Sequence, residues 1–580
     1  MSGAWWRESR DVERFALVGL AVAMVVAAVL LLAETRGLTL LVDEWSWGYA
    51  GRTDLDLHAF VDPHNGHFVA VMVLITKAAL QLFHEDAETP LRLLAVALHL
   101  AVAACLFALL RQALGALGAL VPTVLFLFLG AANDGIVGSH GMSVTITVLC
   151  GLGAWLALQR RRTGWDAVAA GLLTIGVATE STVLPFVFAA ALIVALDRES
   201  PRSRYWVAIA PLAVYAVWWL AWGHTEKSDV AIANFAALPS FAFDSLAASL
   251  ASVTGVFTIP GSRTVGFDLA AGQALAGGML MVLLALVLAR RYRPGVASAV
   301  PMLALLSFWL LTSGVANPAR QPYSSRFIYI DVVLLLLVLA QEIAASPVRR
   351  RAVPILAGIC ALGLSPNVRE LTYAGDGARV GAEVNRAVMG AADLLAGQGE
   401  ASALLEDPRD PIEGQVADLA FPLERYEASR DRFGAPALSP AQIEAADPVA
   451  RVAADHFLVR ALSISVVPAA GLPRPLSAPA GASQTGGVLT HARGCLRFTP
   501  LVVGAQMTLR LPLGGLWLRP AAGPPVPISV ARFAEGPAGG VGVGPALGGR
   551  ASRLDLPRSR ASRGWSAQLV PDQRLLICGA

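Results

Sequence analysis

The segment FALVGLAVAMVVAAVLLLA, which runs from Phe15 to Ala33, contains 19 consecutive apolar residues and follows Arg7, Arg10 and Arg14. A transmembrane helix needs about 20 such residues, whereas the apolar region of a secretory signal is shorter and ends at a small-residue cleavage site. No A-x-A site follows this run. The segment therefore predicts an uncleaved first membrane helix.

Ten further apolar runs of similar or slightly shorter length follow within the first 365 residues. With only 15% charged residues and a mean hydropathy of +0.59, the chain departs from soluble domains, which carry about 25% charged residues. We therefore expect a mainly α-helical, polytopic membrane domain over residues 1–365. Its eleven predicted spans are at about 15–33, 91–110, 114–131, 143–158, 166–179, 182–196, 205–222, 271–289, 296–313, 327–344 and 352–365.

The apolar run 67–84 decides the orientation of the chain. Lys77, Gln81 and His84 recur at i, i+4 and i+7, which predicts an amphipathic helix lying in the membrane interface within an external loop, 34–90. If this helix does not cross the membrane, sixteen basic residues lie in cytoplasmic loops and seven in external ones. Because basic residues favour the cytoplasmic side, we predict a cytoplasmic amino terminus and an extracytoplasmic carboxyl-terminal region.

The region after the last span has the composition of a soluble chain. Residues 366–465 have helical patterns, 466–485 are rich in Pro, Ala, Gly and Ser and indicate a linker, and 486–580 contain short β-like runs between Gly and Pro residues. We expect an extracytoplasmic α+β region that ends in a small β-sandwich. Cys495 and Cys578 bracket the β region, and an oxidising location permits a disulfide between them.

An acidic pair, Asp43 and Glu44, directly follows the first predicted span. Adjacent carboxylates near a bilayer are costly unless they have partners or a function. One of them is a candidate general base toward a hydroxyl group. The alternative is a solvated loop in which Trp45 and Trp47 lie at the membrane interface.

Other chemistry-bearing residues collect in the predicted external loops. His64 and His67, at i and i+3, either form a metal site with Asp43 or Glu44 or hydrogen-bond a polar substrate. Cavity or acceptor contacts are also expected from the turn at Asp134, from His140 and from Glu180.

Arg320 and Arg326 flank the segment that precedes the tenth predicted span. The planar guanidinium group matches the oxygens of a phosphate, so these residues are candidates for binding a lipid phosphate. The alternative is that they reach to lipid headgroups along the interface. The basic residues form no aromatic-interleaved patch, so we expect no nucleic-acid partner.

Five features follow one another along the chain in a familiar arrangement. They are the acidic pair, the Pro-His segment at 62–67, the lysine-bearing helix leading into 89–94, the acidic second loop and the late Ser-Arg-aromatic segment 324–327. Over residues 10–345 the chain resembles the GT-C superfamily of polyprenyl-phosphate-dependent glycosyltransferases. The most similar branch is that of protein O-mannosyltransferases and the lipid A aminoarabinose transferase. The composition is typical of a high-GC bacterium such as an actinobacterium.

The resemblance implies a role for each matching residue. Asp43 takes the position of the catalytic acid, and Glu44 completes the pair. Lys77 and Arg326 take the positions of basic groups that hold the donor phosphate, and Asp134 that of the acidic residue in the second external loop. No resident cofactor follows from this, and a need for a divalent metal is left open.

Two departures accompany these matches. The family's frequent His/Lys-Pro-Pro segment is represented by Asp-Pro-His-Asn-Gly-His at 62–67. The turn that often carries a lysine between the fifth and sixth spans carries Glu180. These departures concern the phosphate ligands more than the acid.

The resemblance implies a multi-pass enzyme of the bacterial plasma membrane. Its partners would be a polyprenyl-phosphate-linked sugar, membrane lipid and a glycan, lipid or protein acceptor, and transfer would proceed with inversion and Asp43 as general base. A transporter or flippase is the first alternative; it would place charge near the bilayer midplane, where His99 is the main candidate. A non-catalytic cell-envelope scaffold is the second.

Overall fold

The computed structural model describes residues 10–40, 43–48, 57–139, 141–197, 202–226, 230–256, 268–289, 295–317, 320–346, 349–395, 404–405, 421–422, 427, 430–469, 472–476, 482–534, 539–557 and 563–580. These form two compact units, of which the first ends at Ala378 and the second continues from Arg379.

The first unit is a bundle of α-helices. Its helices are α1 (Arg10–Glu34), α2 (Asp43–Gly48), α3 (Leu57–Val61), α4 (Ala70–Phe83), α5 (Glu88–Leu114), α6 (Ala116–Leu127), α7 (Met142–Leu158), α8 (Thr163–Val177), α9 (Leu184–Leu196), α10 (Trp206–Ala221), α11 (Leu238–Thr254), α12 (Leu269–Leu288), α13 (Ala299–Gly314), α14 (Ser325–Ala345) and α15 (Arg349–Asp393).

Eight segments of the described chain are helical, long and apolar enough to cross a membrane, and α6 to α9 supply four shorter apolar helices. Of its 18-residue apolar window, α14 buries 72% inside the protein, whereas α12 buries 11%. Helix α14 is therefore the core of the bundle, and α12 turns apolar side chains outward, as a lipid-facing helix does. The mainly helical, multi-pass fold predicted from the sequence is confirmed.

The helices of the bundle end at two opposite rims. The first rim contains the helix ends next to Asp134, Glu180 and Arg320. The second rim contains the opposite ends, where α5, α7 and α9 finish and α13 begins.

Helix α11 was not predicted, since its sequence falls in the expected external loop 223–270. Four Ser residues and Thr254 lower its hydropathy, but the hydroxyl groups of Ser249 and Ser252 donate to carbonyl oxygens one turn earlier, at 2.8 and 2.7 Å, so the helix tolerates them. Polarity therefore hid a helix of 17 residues.

Both ends of α11 contact the first rim. Just before the helix, the Ala231 amide donates to the Gly314 carbonyl at 3.0 Å, at the end of α13. Near its other end, the Ser252 carbonyl accepts from Asn367 at 2.8 Å, and Asn367 in turn accepts from the Ala131 amide at 3.4 Å. Although α11 has the length of a span, it therefore follows the rim and does not cross the bundle.

Helix α4 occupies most of the predicted interfacial helix 67–84, and the three polar residues of its predicted stripe differ in exposure. Lys77 is 3% exposed, whereas Gln81 and His84 are exposed. Gly48 at the end of α2 lies against Thr76 of α4. Helix α2 thus packs on α4 beside the lysine, and only the end of the stripe is left open.

The second unit combines short helices with β-structure. Its helices after α15 are α16 (Pro440–Ala445) and α17 (Pro448–Ala461). Its strands are β1 (Leu404–Leu405), β2 (Phe421–Pro422), β3 (Ser465–Pro468), β4 (Ser483–Thr485), β5 (Gly487–Ala492), β6 (Cys495–Pro500), β7 (Gln506–Arg510), β8 (Leu516–Pro520), β9 (Val526–Ala531), β10 (Val541–Ala546), β11 (Ser552–Asp555), β12 (Ser566–Leu569) and β13 (Leu575–Gly579).

Eleven of these strands form two antiparallel sheets, in the orders β10-β9-β12-β7-β4 and β3-β11-β8-β13-β6-β5. Alternate residues of β7 and β12 are buried, as a sheet with one covered face requires. The predicted β-rich end of the chain is confirmed. The linker prediction for 466–485 is wrong at both ends, because β3 pairs with β11 and β4 with β7.

Two contacts tie this unit together. The carboxylate of Asp455, which is fully buried on α17, accepts from the amides of Arg532, Phe533 and Ala534 at 2.9–3.1 Å. A disulfide between Cys495 and Cys578 joins β6 to its neighbour β13.

Candidate functional site

A four-residue turn, His64–Asn65–Gly66–His67, forms the centre of the candidate site. Asn65 and Gly66 have φ values of 53° and 77°, the two left-handed positions of the tight hairpin turn for which Asn-Gly is the preferred pair. His64 and His67 close the turn through two backbone hydrogen bonds of 3.1 and 3.0 Å. The turn therefore fixes the spacing of the two imidazole-bearing residues.

Three hydrogen bonds attach this turn and the chain after it to other parts of the first rim. The Nδ1 atom of His67 lies 2.6 Å from the hydroxyl oxygen of Ser181. The Gly66 amide donates to the Glu226 carboxylate at 2.7 Å, and the Val71 amide donates to the Ala178 carbonyl at 3.0 Å. The histidines are thereby held against the connection between α8 and α9.

Two cavities open at this turn. The smaller has a volume of about 240 Å³, and the larger about 790 Å³. Asn65, His67, Glu180, Arg320 and Arg326 line both. The two spaces therefore meet at a group of one imidazole, one carboxylate and two guanidinium groups.

The smaller cavity brings together six of the residues singled out from the sequence. Its lining contains His64, His67, Asp134, Glu180, Arg320 and Arg326, and it adds Trp47, Asn65, Val69, Gly141, Ser143, Val144 and Thr179. Asp134 is anchored because its backbone amide donates to the Ser325 hydroxyl at 3.0 Å. Trp47 and Arg326, which are 279 positions apart in the chain, thus share one space.

The remaining sequence candidates have other placements. The side chain of Asp43 and all of His140 lie outside the described residues. Glu44 and Lys77 are buried, at 1% and 3% exposure, and neither lines the two cavities. Trp47, on the same short helix as the acidic pair, does reach the smaller cavity, with its ring centroid 5.8 Å from that of His64.

Charge in the site is mixed. Burial lowers the pKa of His67, Glu180 opposes this shift, and Arg320, Arg326 and His64 add to it. Burial and the positive neighbours together outweigh the one carboxylate, so the lowered pKa favours the neutral imidazole of His67. The hydroxyl group of Ser181 and the guanidinium groups of Arg320 and Arg326 add hydrogen-bond donors to the site.

Glu180 contributes an unsatisfied acceptor. Its Oε2 atom is buried and has no hydrogen-bond partner among the described residues. A buried carboxylate oxygen without a donor is costly, and Glu180 lines both cavities. A ligand hydroxyl or amine at this position would satisfy it.

No match to a protein-family model and no match among curated proteins was found for the chain. Among solved structures, ArnT from Cupriavidus metallidurans in the apo state is 16% identical, over 65% of this chain and 80% of that chain, with a TM-score of 0.38. The same protein bound to undecaprenyl phosphate is 16% identical over 64% and 80%, with a TM-score of 0.37.

The oligosaccharyltransferase of Archaeoglobus fulgidus, in complex with Zn and sulfate, is 13% identical over 61% of this chain and 53% of that chain, with a TM-score of 0.34. At TM-scores below 0.5 these similarities do not assign an activity to the chain.

The sequence left a metal centre and a transport site as alternatives. Within the described part of the chain, no three His, Cys, Asp or Glu residues are grouped to hold a metal ion. His99 is buried, with one ring nitrogen 3.0 Å from the Tyr329 hydroxyl and the other donating to the Leu127 carbonyl at 3.2 Å. It is a hydrogen-bonded core residue of α5.

Several residues of the site were missed from the sequence. Ser181 and Glu226 position the turn, and Ser143 and Thr179 add hydroxyl groups to the smaller cavity. The Asn-Gly pair at 65–66 was the available signal, since it predicts a tight turn that holds the flanking histidines together. Glu226 gave no signal, because its role depends on a contact 160 positions away.

Proposed function

We propose that the chain is a membrane glycosyltransferase that moves a sugar from a polyprenyl-phosphate carrier to an acceptor hydroxyl at the extracytoplasmic side of the membrane. One observation carries this proposal. Two arginines line a cavity at one end of an apolar helical bundle, together with a carboxylate oxygen that has no hydrogen-bond partner among the described residues. That combination suits a ligand with a phosphate and hydroxyl groups.

Arg320 and Arg326 are proposed to bind the donor phosphate. Guanidinium groups form paired, charge-assisted hydrogen bonds to phosphate oxygens. In the transfer step the bond between the anomeric carbon and the phosphate oxygen breaks, and negative charge grows on the departing phosphate. Fixed positive charge at that position stabilises this change more than it stabilises the bound donor.

Lys77 receives a different role. It lies buried on α4, outside both cavities, and α2 packs on the same helix. We therefore assign Lys77 to the support of α2, the helix that contains the acidic pair, and leave the phosphate to the two arginines.

Asp43 is proposed as the general base. It precedes Trp47 by four positions on α2, and Trp47 lines the smaller cavity. The base takes the proton of the acceptor hydroxyl while that oxygen attacks the anomeric carbon from the face opposite the phosphate. The new bond to oxygen forms as the bond to phosphate breaks, so the configuration inverts. Glu180 is proposed to accept a hydrogen bond from a hydroxyl of the bound sugar or acceptor.

The larger cavity fits the apolar part of the donor. Its lining includes Tyr215, Trp219, Phe308, Leu311 and Val315. Apolar side chains of this kind exclude water and can accommodate the first isoprene units of a carrier lipid. The phosphate would then lie where this cavity meets the smaller one.

Three features support placing the first rim outside the cell. The Arg-rich turn 160–162 and the three arginines 349–351 that begin α15 belong to the second rim, which suits the cytoplasmic side. Helix α15 begins at that rim and reaches the first rim at Asn367. The disulfide between Cys495 and Cys578 in the following unit is compatible with an oxidising compartment.

The proposal is tested by measuring sugar transfer in isolated membranes from a panel of undecaprenyl-phosphate sugars. We expect Asp43→Asn to lower the rate by about 10²–10⁴-fold, because a positioned base supplies that factor. Asp62→Asn is the matched control, since Asp62 pairs with His58 at 3.1 Å and lines neither cavity. Unchanged transfer by Asp43→Asn would rule out this base.

A further inference from the structure

A third cavity lies at the second rim, away from the candidate site. Its volume is about 540 Å³, within the range of small-molecule sites. It is formed where α5, α7, α9 and α14 end and where α10 and α13 begin. Since the candidate site uses the opposite ends of the same bundle, this cavity has no part in the proposed transfer reaction.

The lining of this cavity is divided by polarity. Apolar side chains make up one part: Leu109, Trp155, Leu158, Ile193, Leu196, Val300, Pro301 and Leu337. Polar side chains make up the other: Gln112, Gln159, Arg161, Asp197, Arg204 and Gln341. An occupant with one apolar and one polar end matches both parts.

An ion-pair network builds the polar part. Arg204 donates to both carboxylate oxygens of Asp166, at 2.9 and 2.8 Å, and to Asp197 at 3.1 Å. Asp197 also lies 3.4 Å from Arg161. Two positive and two negative groups therefore hold one another, and the wall is fixed before any ligand binds.

The charge left over in this region is positive. The side chain of Arg161 is 60% exposed at the cavity. Arg160 and Arg162 are its exposed neighbours in the chain, and their charges are not balanced by the four-residue network. An anionic headgroup is favoured here, because basic pockets between membrane helices attract lipid phosphates.

We propose that this cavity binds an anionic glycerophospholipid of the adjacent leaflet. One acyl chain lies along Trp155, Ile193 and Leu337, and the phosphate lies next to Arg161. Gln112 and Gln159, which are hydrogen-bonded to each other at 2.9 Å, present amide groups to the glycerol region. The lipid fills the space between α7, α9 and α13 and stabilises the second rim.

The test is native mass spectrometry of the purified full-length protein after detergent exchange, with added phosphatidylglycerol or phosphatidylcholine of the same acyl chains. We expect one phosphatidylglycerol to remain bound and phosphatidylcholine to be lost. Arg161→Gln should weaken retention about tenfold, since it removes a charge-assisted contact. Val300→Trp should abolish retention by filling the cavity, and both variants should keep the thermal unfolding temperature of the lipid-free protein within a few degrees.

Arg162→Gln is the matched control, because it removes a charge from the same turn at a residue that does not line the cavity. It should weaken retention of phosphatidylglycerol less than Arg161→Gln does, because it lowers the local positive charge without removing a contact to the lipid. Equal retention of the two lipids, or equal retention by Arg161→Gln and Arg162→Gln, would overturn the proposal. A third result would also overturn it: the protein retains undecaprenyl phosphate in preference to phosphatidylglycerol, and Val300→Trp abolishes that retention. The occupant would then be the carrier lipid.

Discussion

The Nδ1 atom of His67 and the hydroxyl oxygen of Ser181 lie 2.6 Å apart, although 114 positions separate them in the chain. This contact joins the turn before α4 to the connection between α8 and α9. It places His67 beside Glu180, Arg320 and Arg326, which line the same two cavities. The first two predictions concern this junction.

The first prediction is that stability falls in acid through His67. Its pKa is lowered from about 6.5, chiefly by burial, so the folded protein resists a proton that the unfolded chain accepts. Stability from this residue is complete above about pH 6.5 and declines as the pH falls below it, by at most about 1.4 kcal/mol per pH unit. The side chain of His67 is only part-buried, so screening by solvent makes the slope smaller.

This slope is measured as the thermal unfolding temperature of detergent-solubilised protein between about pH 8 and pH 5. His67→Gln should remove part of the decline. His58→Gln should leave it unchanged, because His58 is exposed and forms its pair with Asp62 outside the cavities. If His67→Gln declines with pH as steeply as the unmodified protein, His67 is not the group responsible.

The second prediction is that Gly66→Ala impairs the site through the backbone alone. Gly66 has a φ of 77°, and no atom lies within 4 Å of a β-carbon placed there. The cost is therefore conformational, about 1–2 kcal/mol, and it strains the turn that spaces His64 and His67. We expect sugar transfer to fall several-fold with little change in expression. Gly164→Ala, also in open space but without a left-handed φ, should behave as the unmodified protein.

The third prediction concerns α11. Because both its ends contact the first rim, reporters inserted near residue 228 and near residue 262 should face the same side of the membrane. Alkaline phosphatase fusions at both points should be active, and fusions near residue 292 should be inactive. Opposite readings at the first two points would mean that α11 crosses the membrane.

The fourth prediction concerns the disulfide of the second unit. It closes a loop with a sequence separation of 83, and such a bond stabilises a fold by about 2–4 kcal/mol. Alkylation without reductant should label Cys105, Cys150 and Cys360 after denaturation and leave Cys495 and Cys578 unlabelled. Cys495→Ser with Cys578→Ser should lower the unfolding temperature of this unit. Full labelling of all five cysteines would show that the bond does not form.

Sequence patterns were sufficient for the apolar helices and for the collection of polar residues at one rim. A long apolar run such as 15–33 is stable in a membrane as a helix, and the charged residues between such runs therefore lie at the helix ends. Patterns were insufficient where packing decided the outcome. Helix α11 was not predicted because its serines make the sequence polar, although their hydroxyl groups form hydrogen bonds within the helix. On α4, Lys77 is buried because α2 packs beside it.

The candidate site shows the same division. His64, His67, Asp134 and Glu180 were identifiable because polar residues stand out at the ends of spans. Glu226 was not identifiable, since its role is to accept a hydrogen bond from the amide of Gly66, which is 160 positions away in the chain. Long-range contacts of this kind have no local signature in one sequence.

The most direct test of the central claim is the equilibrium binding of undecaprenyl phosphate to the purified protein, compared with Arg320→Gln and Arg326→Gln. Each lost guanidinium should raise the Kd about tenfold or more, because a charge-assisted contact is worth about 1.5–3 kcal/mol. Arg351→Gln, an exposed change at the second rim, should bind as tightly as the unmodified protein. If both cavity variants also bind as tightly, the two arginines do not hold the carrier phosphate, and the proposed site is wrong.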